Sequence, residues 1–410
     1  MIQPVQASSN PFPTGSVLPP PVIPGQVERG FWWYAGAGVA ALLLLCVATL
    51  VVVSIPDPVG LAVSILAAAV PAAVYAWLVL RLDPFEVEPR NLLIGAFGWG
   101  AVGAVVFAII FSVIFAISFA NTGDAALNTL ITTAIGAPVV EESCKGLALL
   151  AILLFHRHEL DNVLDGIVYG AVVGIGFAMT ENILYFGGAY LEGGFGDLGE
   201  LFLARAVIFG FGHAIYSATL GAALGWSREQ YARGPGRFLV PILGWTLAVL
   251  QHLLWNGGVI LTSGLLGDDT SIFQVVLIGG TLFILPALVV LLVIARIAHR
   301  RELRVMRTEL AQEVQRQTMT AAEYETLFND DLRRHALRQA DARGGGELRQ
   351  LQQRFFQVAA ELAFREYHLQ QGEALKPGQR QPDDSYRLEL ARLRSALTAG
   401  GMPASAAGVP

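Results

Sequence analysis

The sequence predicts an all-α protein: a polytopic membrane bundle of about eight transmembrane helices followed by a helical cytoplasmic C-terminal tail. Three observations carry that expectation. Of 410 residues, 54% are hydrophobic and only 15% are charged, with a mean hydropathy of +0.54, which is too apolar for a soluble chain with one ordinary core. Apolar runs of the roughly 20 residues needed to cross a 30 Å hydrocarbon layer recur as far as about residue 298. Arginine is confined, with one exception, to every second loop between those runs.

Residues 1–27 contain Pro4, Pro11, Pro13, Pro19, Pro20, Pro21 and Pro24 without hydrophobic periodicity, and are predicted to be a disordered leader. The membrane domain is expected over 28–298, with spans near 31–54, 59–80, 93–119, 126–155, 163–186, 200–225, 238–264 and 273–298. The first run is longer than a signal-peptide core and lacks an early basic cluster, so it reads as an uncleaved anchor. Arg81 and Arg90 follow the second run, Arg157 the fourth, Arg228, Arg233 and Arg237 the sixth, and Arg296, Arg300 and Arg301 the eighth. The alternate loops carry acids such as Asp124, Glu192 and Asp197 instead. Because Lys and Arg accumulate on the cytoplasmic side, both termini are expected in the cytoplasm of a cell with this protein in its plasma membrane. Only Arg205 departs from the pattern.

From about residue 299 the chain becomes rich in Arg, Gln and Glu. Leu348, Leu351, Phe355, Val358, Leu362 and Leu369 fall on one helical stripe, and Tyr386, Leu390, Leu393 and Leu397 on another. Breaks are expected at Gly344, Gly345 and Gly346 and near Pro377 and Pro382. The tail, 299–410, therefore reads as a small helical unit that packs on itself, or as a docking or self-association module. Cys46 and Cys144 both fall within apolar runs, so no disulfide framework is expected. No nucleic-acid partner is expected either.

One apolar run contains GAPVVEESCKGLALL, Gly136 to Leu150, with two glutamates and one of only two lysines, the other being Lys376. A single charge at the centre of a membrane helix costs about 2.5–3.5 kcal/mol on insertion scales. On a helix, Lys145 meets Glu141 at i, i+4 and Glu142 at i, i+3, and a lone buried ion pair would serve only to fix helix register. The next three runs, however, each bring a polar group to a similar depth: Glu181 with Phe177, then His213, then His252 with Asn256. At 1.5 Å per residue, Glu141, His213 and His252 lie roughly 18–21 Å from the cytoplasmic ends of their spans. Two histidines with carboxylates in a low-dielectric setting suit zinc binding and water activation. Gly166, Gly170 and Gly174 form a smooth stripe leading towards Glu181, which would let a neighbouring helix approach closely.

The ordered set E-E-x-x-K (Glu141, Glu142, Lys145), F-x-x-x-E-N (Phe177, Glu181, Asn182), His213 and His252 resembles the PrsW family of intramembrane proteases, over roughly residues 126–260. That family is related to the CAAX prenyl endopeptidases and the abortive-infection proteases. Members of the wider group place an arginine one position after the lysine site and histidine where this chain has Glu181, so the differences favour the PrsW branch. The resemblance implies hydrolysis of peptide bonds in membrane-associated proteins, with metal dependence, in some members as regulated proteolysis of anti-sigma factors. Under that reading Glu141 is the general base, Glu142 a ligand or orienting group, Lys145 the cation that keeps a carboxylate charged, and Asn256 an oxyanion donor. Glu181, His213 and His252 would hold Zn2+, with the allocation among the three glutamates left open.

Other signatures fail. H-E-x-x-H is absent, and GFGD at Gly194 to Asp197, a match to the aspartyl G-x-G-D, is expected in a Gly-rich loop with no paired membrane aspartate. The rival classes are a proton- or ion-coupled transporter that relays ions through the same carboxylates and histidines, and a non-catalytic scaffold acting through its tail.

Overall fold

A computed structural model describes residues 31–83, 88–157, 159–229, 234–266, 271–370 and 383–402. The Pro-rich leader, Arg233, Lys376, Pro377 and Pro382 lie outside the described residues. The chain divides into two units, Met1–Leu42 and Leu43–Pro410, and the packing below is that of the second. Every regular element among the described residues is helical. The apolar part holds α1 (Phe31–Ser54), α2 (Pro58–Val79), α3 (Arg90–Gly98), α4 (Val105–Phe119), α5 (Ala125–Thr129) and α6 (Ala137–Phe155). It continues through α7 (Val163–Phe202), α8 (Gly212–Glu229), α9 (Gly236–Leu266), α10 (Ile272–Gly279) and α11 (Leu285–Gln315). The tail adds α12 (Ala321–Phe328), α13 (Asp330–Gln370) and α14 (Asp383–Ala399). Wider π turns at Trp99–Ala104, Leu130–Gly136, Leu203–Ile208 and Gly280–Ile284 adjoin these helices, a feature frequent beside functional sites.

Among the described residues six stretches are long and apolar enough to cross a membrane: Gly36–Ser54, Pro58–Val79, Arg90–Phe119, Val163–Glu229, Gly236–Leu266 and Phe273–Gln315. The protein is a multi-pass membrane protein, and Phe111, Ile117, Leu154, Phe155, Leu243, Val290 and Ile297 turn large apolar side chains outward, as lipid contact demands. The difference from the expected eight has two physical sources. The stretch containing α5 and α6 is interrupted by Glu141, Glu142 and Lys145. The fifth and sixth expected spans run together, because residues 187–199, expected as a loop, are helical apart from a kink where Gly193 and Gly194 leave helical geometry (φ −135° and +66°). The GFGD segment therefore belongs to α7.

α7 is the central element. It starts at a capping box: Asn162 Oδ1 accepts from the Leu164 and Asp165 amides, and Asp165 Oδ2 accepts from the Asn162 amide. It is buried on all sides from Val163 to Ala178, the mark of a helix inside a bundle. Its glycine stripe meets α8 backbone to backbone. A Cβ on Gly166, Gly170 or Gly174 would overlap the carbonyl oxygens of Gly221, Ser217 and His213 respectively. Leu164, Ile167, Val168, Tyr169, Val173, Ile215, Tyr216 and Leu224 fill the surrounding core.

The tail has a core of its own, in which Met306 and Leu310 of α11 join Leu348, Phe355, Val358, Leu362, Leu390, Leu393 and Leu397, largely the two stripes seen in the sequence. The expected break in α13 is present, at Gly344 and Gly345. The expected boundary at residue 298 falls within α11, which runs unbroken from the apolar part into the tail. Arg301 of α11 pairs with Glu229 at the end of α8, and His368 Nε2 of α13 stands 3.6 Å from Asp161 Oδ2 before α7.

Candidate active site

Four consecutive long helices contribute to one buried cluster: α6 brings Glu141, Glu142 and Lys145, α7 brings Phe177 and Glu181, α8 brings His213 and α9 brings His252. The fully buried Lys145 is the hub. Its Nζ donates to Glu142 Oε1 (2.7 Å) and to His213 Nδ1 (2.8 Å), lies 3.6 Å from Glu141 Oε2, and sits 4.0 Å over the Phe177 ring. An ammonium only donates. His213 Nδ1 therefore accepts, and its Nε2 carries the hydrogen donated to Glu181 Oε2 at 2.8 Å.

His252 is oriented by the opposite logic. Its Nδ1 faces Glu142 Oε1 at 3.0 Å, and a carboxylate already held by the lysine accepts. Nε2 is left as the lone-pair nitrogen, 3.9 Å from Glu141 Oε2. The Tyr216 ring stacks on His252 with centroids 4.9 Å apart and meets His213 edge-on at 5.8 Å, so both imidazoles are held in place. Ser217 Oγ donates to Glu142 Oε2 at 3.4 Å.

Among the described residues Glu141 Oε2 is buried without a hydrogen-bond partner. Leaving such a group unsatisfied costs about 1–3 kcal/mol, more for a charged one, so this oxygen marks where a further group belongs. Glu141, His213 and His252 each offer one donor atom within 4.8 Å of the others.

Two of the expected site residues have further partners. Glu181, expected as a metal ligand, is held by Arg205, whose Nη2 donates to Glu181 Oε2 at 2.7 Å while Nε donates to Asn182 Oδ1 at 3.1 Å. Asn256 Nδ2 donates to the Thr133 carbonyl at 2.9 Å, tying α9 to the π turn before α6. Arg205, Tyr216 and Ser217 were missed as site residues. For Arg205 the signal existed, since it alone broke the loop alternation; Tyr216 and Ser217 follow His213 by three and four residues and needed only the helical spacing. A small cavity of about 30 Å³, bordered by Arg205, His213, Tyr216 and Trp255, adjoins the cluster and has room for one water. On the other side of Arg205, which lies over the Tyr185 ring at 3.9 Å, a cleft of about 610 Å³ opens between Tyr185, Gly188, Glu192, Asp197 and Leu201.

A multi-pass helical protein that gathers carboxylates, imidazoles and a lysine inside its bundle defines a class: membrane proteins with an internal carboxylate and imidazole donor set. The profile of the PrsW family of intramembrane metalloproteases matches residues 88–294, half of the chain, and the chain belongs to that family. It is 32% identical over 146 residues to Protease PrsW of Bacillus subtilis, covering 36% of this chain and 60% of that protein. It is 30% identical over 143 residues to Protease PrsW of Geobacillus kaustophilus, covering 35% and 57%. The match thus spans less than two thirds of either relative. No solved structure matches.

The family name implies a metal, and the donors fit one. Two imidazoles and a carboxylate converge within coordination-sphere dimensions, the His252 ring is presented by a carboxylate on its far nitrogen, as metal-binding histidines usually are, and a buried oxygen of Glu141 has no hydrogen-bond partner among the described residues.

Proposed function

We propose that the chain is an intramembrane peptidase that hydrolyses peptide bonds of membrane-associated proteins, anti-sigma factors among the candidates, with Glu141 as general base. The unpartnered Glu141 oxygen beside the His252 and His213 rings is the observation that carries this reading. The active-site helices fall in a membrane domain of residues 28–298, in a plasma membrane with both termini cytoplasmic. The tail, 299–410, serves as a docking or self-association surface.

In this reading His213, His252 and Glu181 hold a zinc ion. When bound, zinc polarises the scissile carbonyl and acidifies water. Glu141 accepts the proton of the attacking water as its oxygen bonds to the carbonyl carbon, then passes it to the leaving nitrogen as the C–N bond breaks. Glu142 orients His252 and is itself held charged by Lys145, which also fixes the His213 tautomer. For His213 Nε2 to ligate as a neutral imidazole it would have to release the hydrogen it donates to Glu181 while Nδ1 takes the shared hydrogen from Lys145, so metal uptake would be proton-linked. Asn256 has a second amide hydrogen to offer a developing oxyanion. The Arg205 contact and the 4.8 Å trio favour a second allocation, in which Glu141 replaces Glu181 as the third ligand.

Zinc content and cleavage of a membrane-anchored test peptide, measured on the same purified samples, separate these. Glu141→Gln is expected to lose about 10²–10⁴-fold in cleavage while keeping its zinc; loss of zinc as well makes Glu141 a ligand. His252→Ala is expected to lose both. Unimpaired cleavage in Glu141→Gln, Glu142→Gln and Glu181→Gln alike would end the peptidase reading.

A further inference from the structure

A second group of carboxylates lies outside the candidate active site. Asp83 follows α2, Asp165 stands in the first turn of α7 and Glu302 lies on α11. Each offers an oxygen within 4.8 Å of the others, and they are 6%, 1% and 5% exposed. Asp165 is already oriented: it accepts from the Asp161 and Asn162 amides and from Asn162 Nδ2. Glu302 is not. Neither of its oxygens has a hydrogen-bond partner among the described residues, and the nearest basic group, His299 Nδ1 one turn earlier on the same helix, is 3.7 Å from Oε2, beyond hydrogen-bond reach.

The surroundings sharpen the imbalance. Glu88 Oε1 is another buried oxygen without a hydrogen-bond partner among the described residues, and burial, opposed by the Tyr169 hydroxyl and reinforced by the charges of Asp83, Glu159 and Asp161, pushes Glu88 up to about 8. Arg333 of α13 is the guanidinium whose charge acts on Asp83, and it also binds Asp330; Arg301 is engaged by Glu229. Glu302, buried with neither oxygen hydrogen-bonded, is too costly to be kept charged unless a cation joins it. A set of three oxygen donors with no thiolate in it selects a hard cation over zinc or copper.

We propose that Asp83, Asp165 and Glu302 form a binding site for a hard divalent cation, Ca2+ or Mg2+, that fastens the root of the tail to the start of α7. Such a site joins three elements far apart in sequence. It places an ion-dependent clamp on the helix that carries Glu181, and it stands whether or not the peptidase reading does.

The test uses the full chain in detergent, stripped with EDTA and dialysed, with thermal unfolding followed as Mg2+ or Ca2+ is added separately up to about 10 mM, a range that covers weak oxygen-donor sites. A saturable rise in Tm is expected in the wild type with at least one ion, and the ion that produces it is the ligand. Glu302→Gln and Asp83→Asn are each expected to raise the half-effect concentration at least tenfold, and His252→Ala to leave it unchanged. Should Glu302→Gln fail to fold, Asp83→Asn carries the same comparison. No rise with either ion, an equal rise in the carboxamide variants, or a rise lost only in His252→Ala would overturn the proposal.

Discussion

The cluster around Lys145 and the cluster around Glu302 are both buried, both rich in carboxylates and both built on α7, with Asp165 and Glu181 roughly 24 Å apart along its axis. They solve the same electrostatic problem differently. Around Lys145 the chain supplies cations of its own: the ammonium bonds Glu142 and His213, the Arg205 guanidinium bonds Glu181, and among the described residues Glu141 Oε2 and the Tyr216 hydroxyl are buried without a hydrogen-bond partner. Around Glu302 both oxygens of the central carboxylate are left over. The lesson is that a leftover oxygen inside a network largely held by its own cations marks room for one further group, whereas a carboxylate with both oxygens left over marks a place where charge must arrive from outside.

The comparison breaks most visibly at Lys145. Lys145→Ala removes the cation from a fully buried pair and is expected to cost about 3–5 kcal/mol, read as a large fall in Tm. Glu302→Gln in chelator is expected to leave Tm unchanged or raise it, because an amide relieves repulsion among the acids. Equal losses in the two variants would show that the clusters are balanced in the same way.

A smaller effect is expected at the α7–α8 contact that links them. Gly170→Ala sets a Cβ against the Ser217 carbonyl and should cost about 1–3 kcal/mol. Gly188→Ala, later on the same helix, meets nothing within 4 Å and should leave the melting curve where it is. Matching curves for the two variants would remove the glycine stripe as a packing device.

The smallest effect concerns the acidic side alone. Burial, with Glu361 and Asp161 nearby, pushes Glu159 up to about 7 from an ordinary value of 4.5. Between those values the folded chain keeps a proton that the unfolded chain has released, so stability falls as pH rises through that window, and the loss is complete above it. Glu159→Gln should therefore melt with the wild type near pH 4 and slightly above it beyond about pH 7. Superimposable pH profiles would show that Glu159 is solvated like any surface acid.

Periodicity and polarity made much of this legible. The charged residues inside apolar runs identified α6 to α9, and the Gly166, Gly170 and Gly174 stripe identified the face of α7 that meets α8. Depth along each span placed Glu141, His213 and His252 in one layer because rise per residue is fixed in a helix. Pairing within that layer was not legible, since it depends on rotation about the helix axes and on rotamers. Glu142, rather than Glu141, received the short lysine contact, and Arg205 took Glu181. The acidic cluster stayed hidden for another reason: Asp83, Asp165 and Glu302 are separated by 82 and 137 residues, and each looks like an ordinary flanking acid until the turn after α2 and the course of α11 bring them together.

Because the α7–α8 crossing has no side chain between its main chains, no rotamer change can open or close it. The relative placement of Glu181 and His213, carried on those two helices, is thereby limited by the van der Waals radii of peptide atoms. A change of even one methyl group at the crossing is transmitted to Glu181 and His213 as a displacement of whole helices, so mechanical tolerance at the centre of this bundle is set by the smallest residues in the sequence.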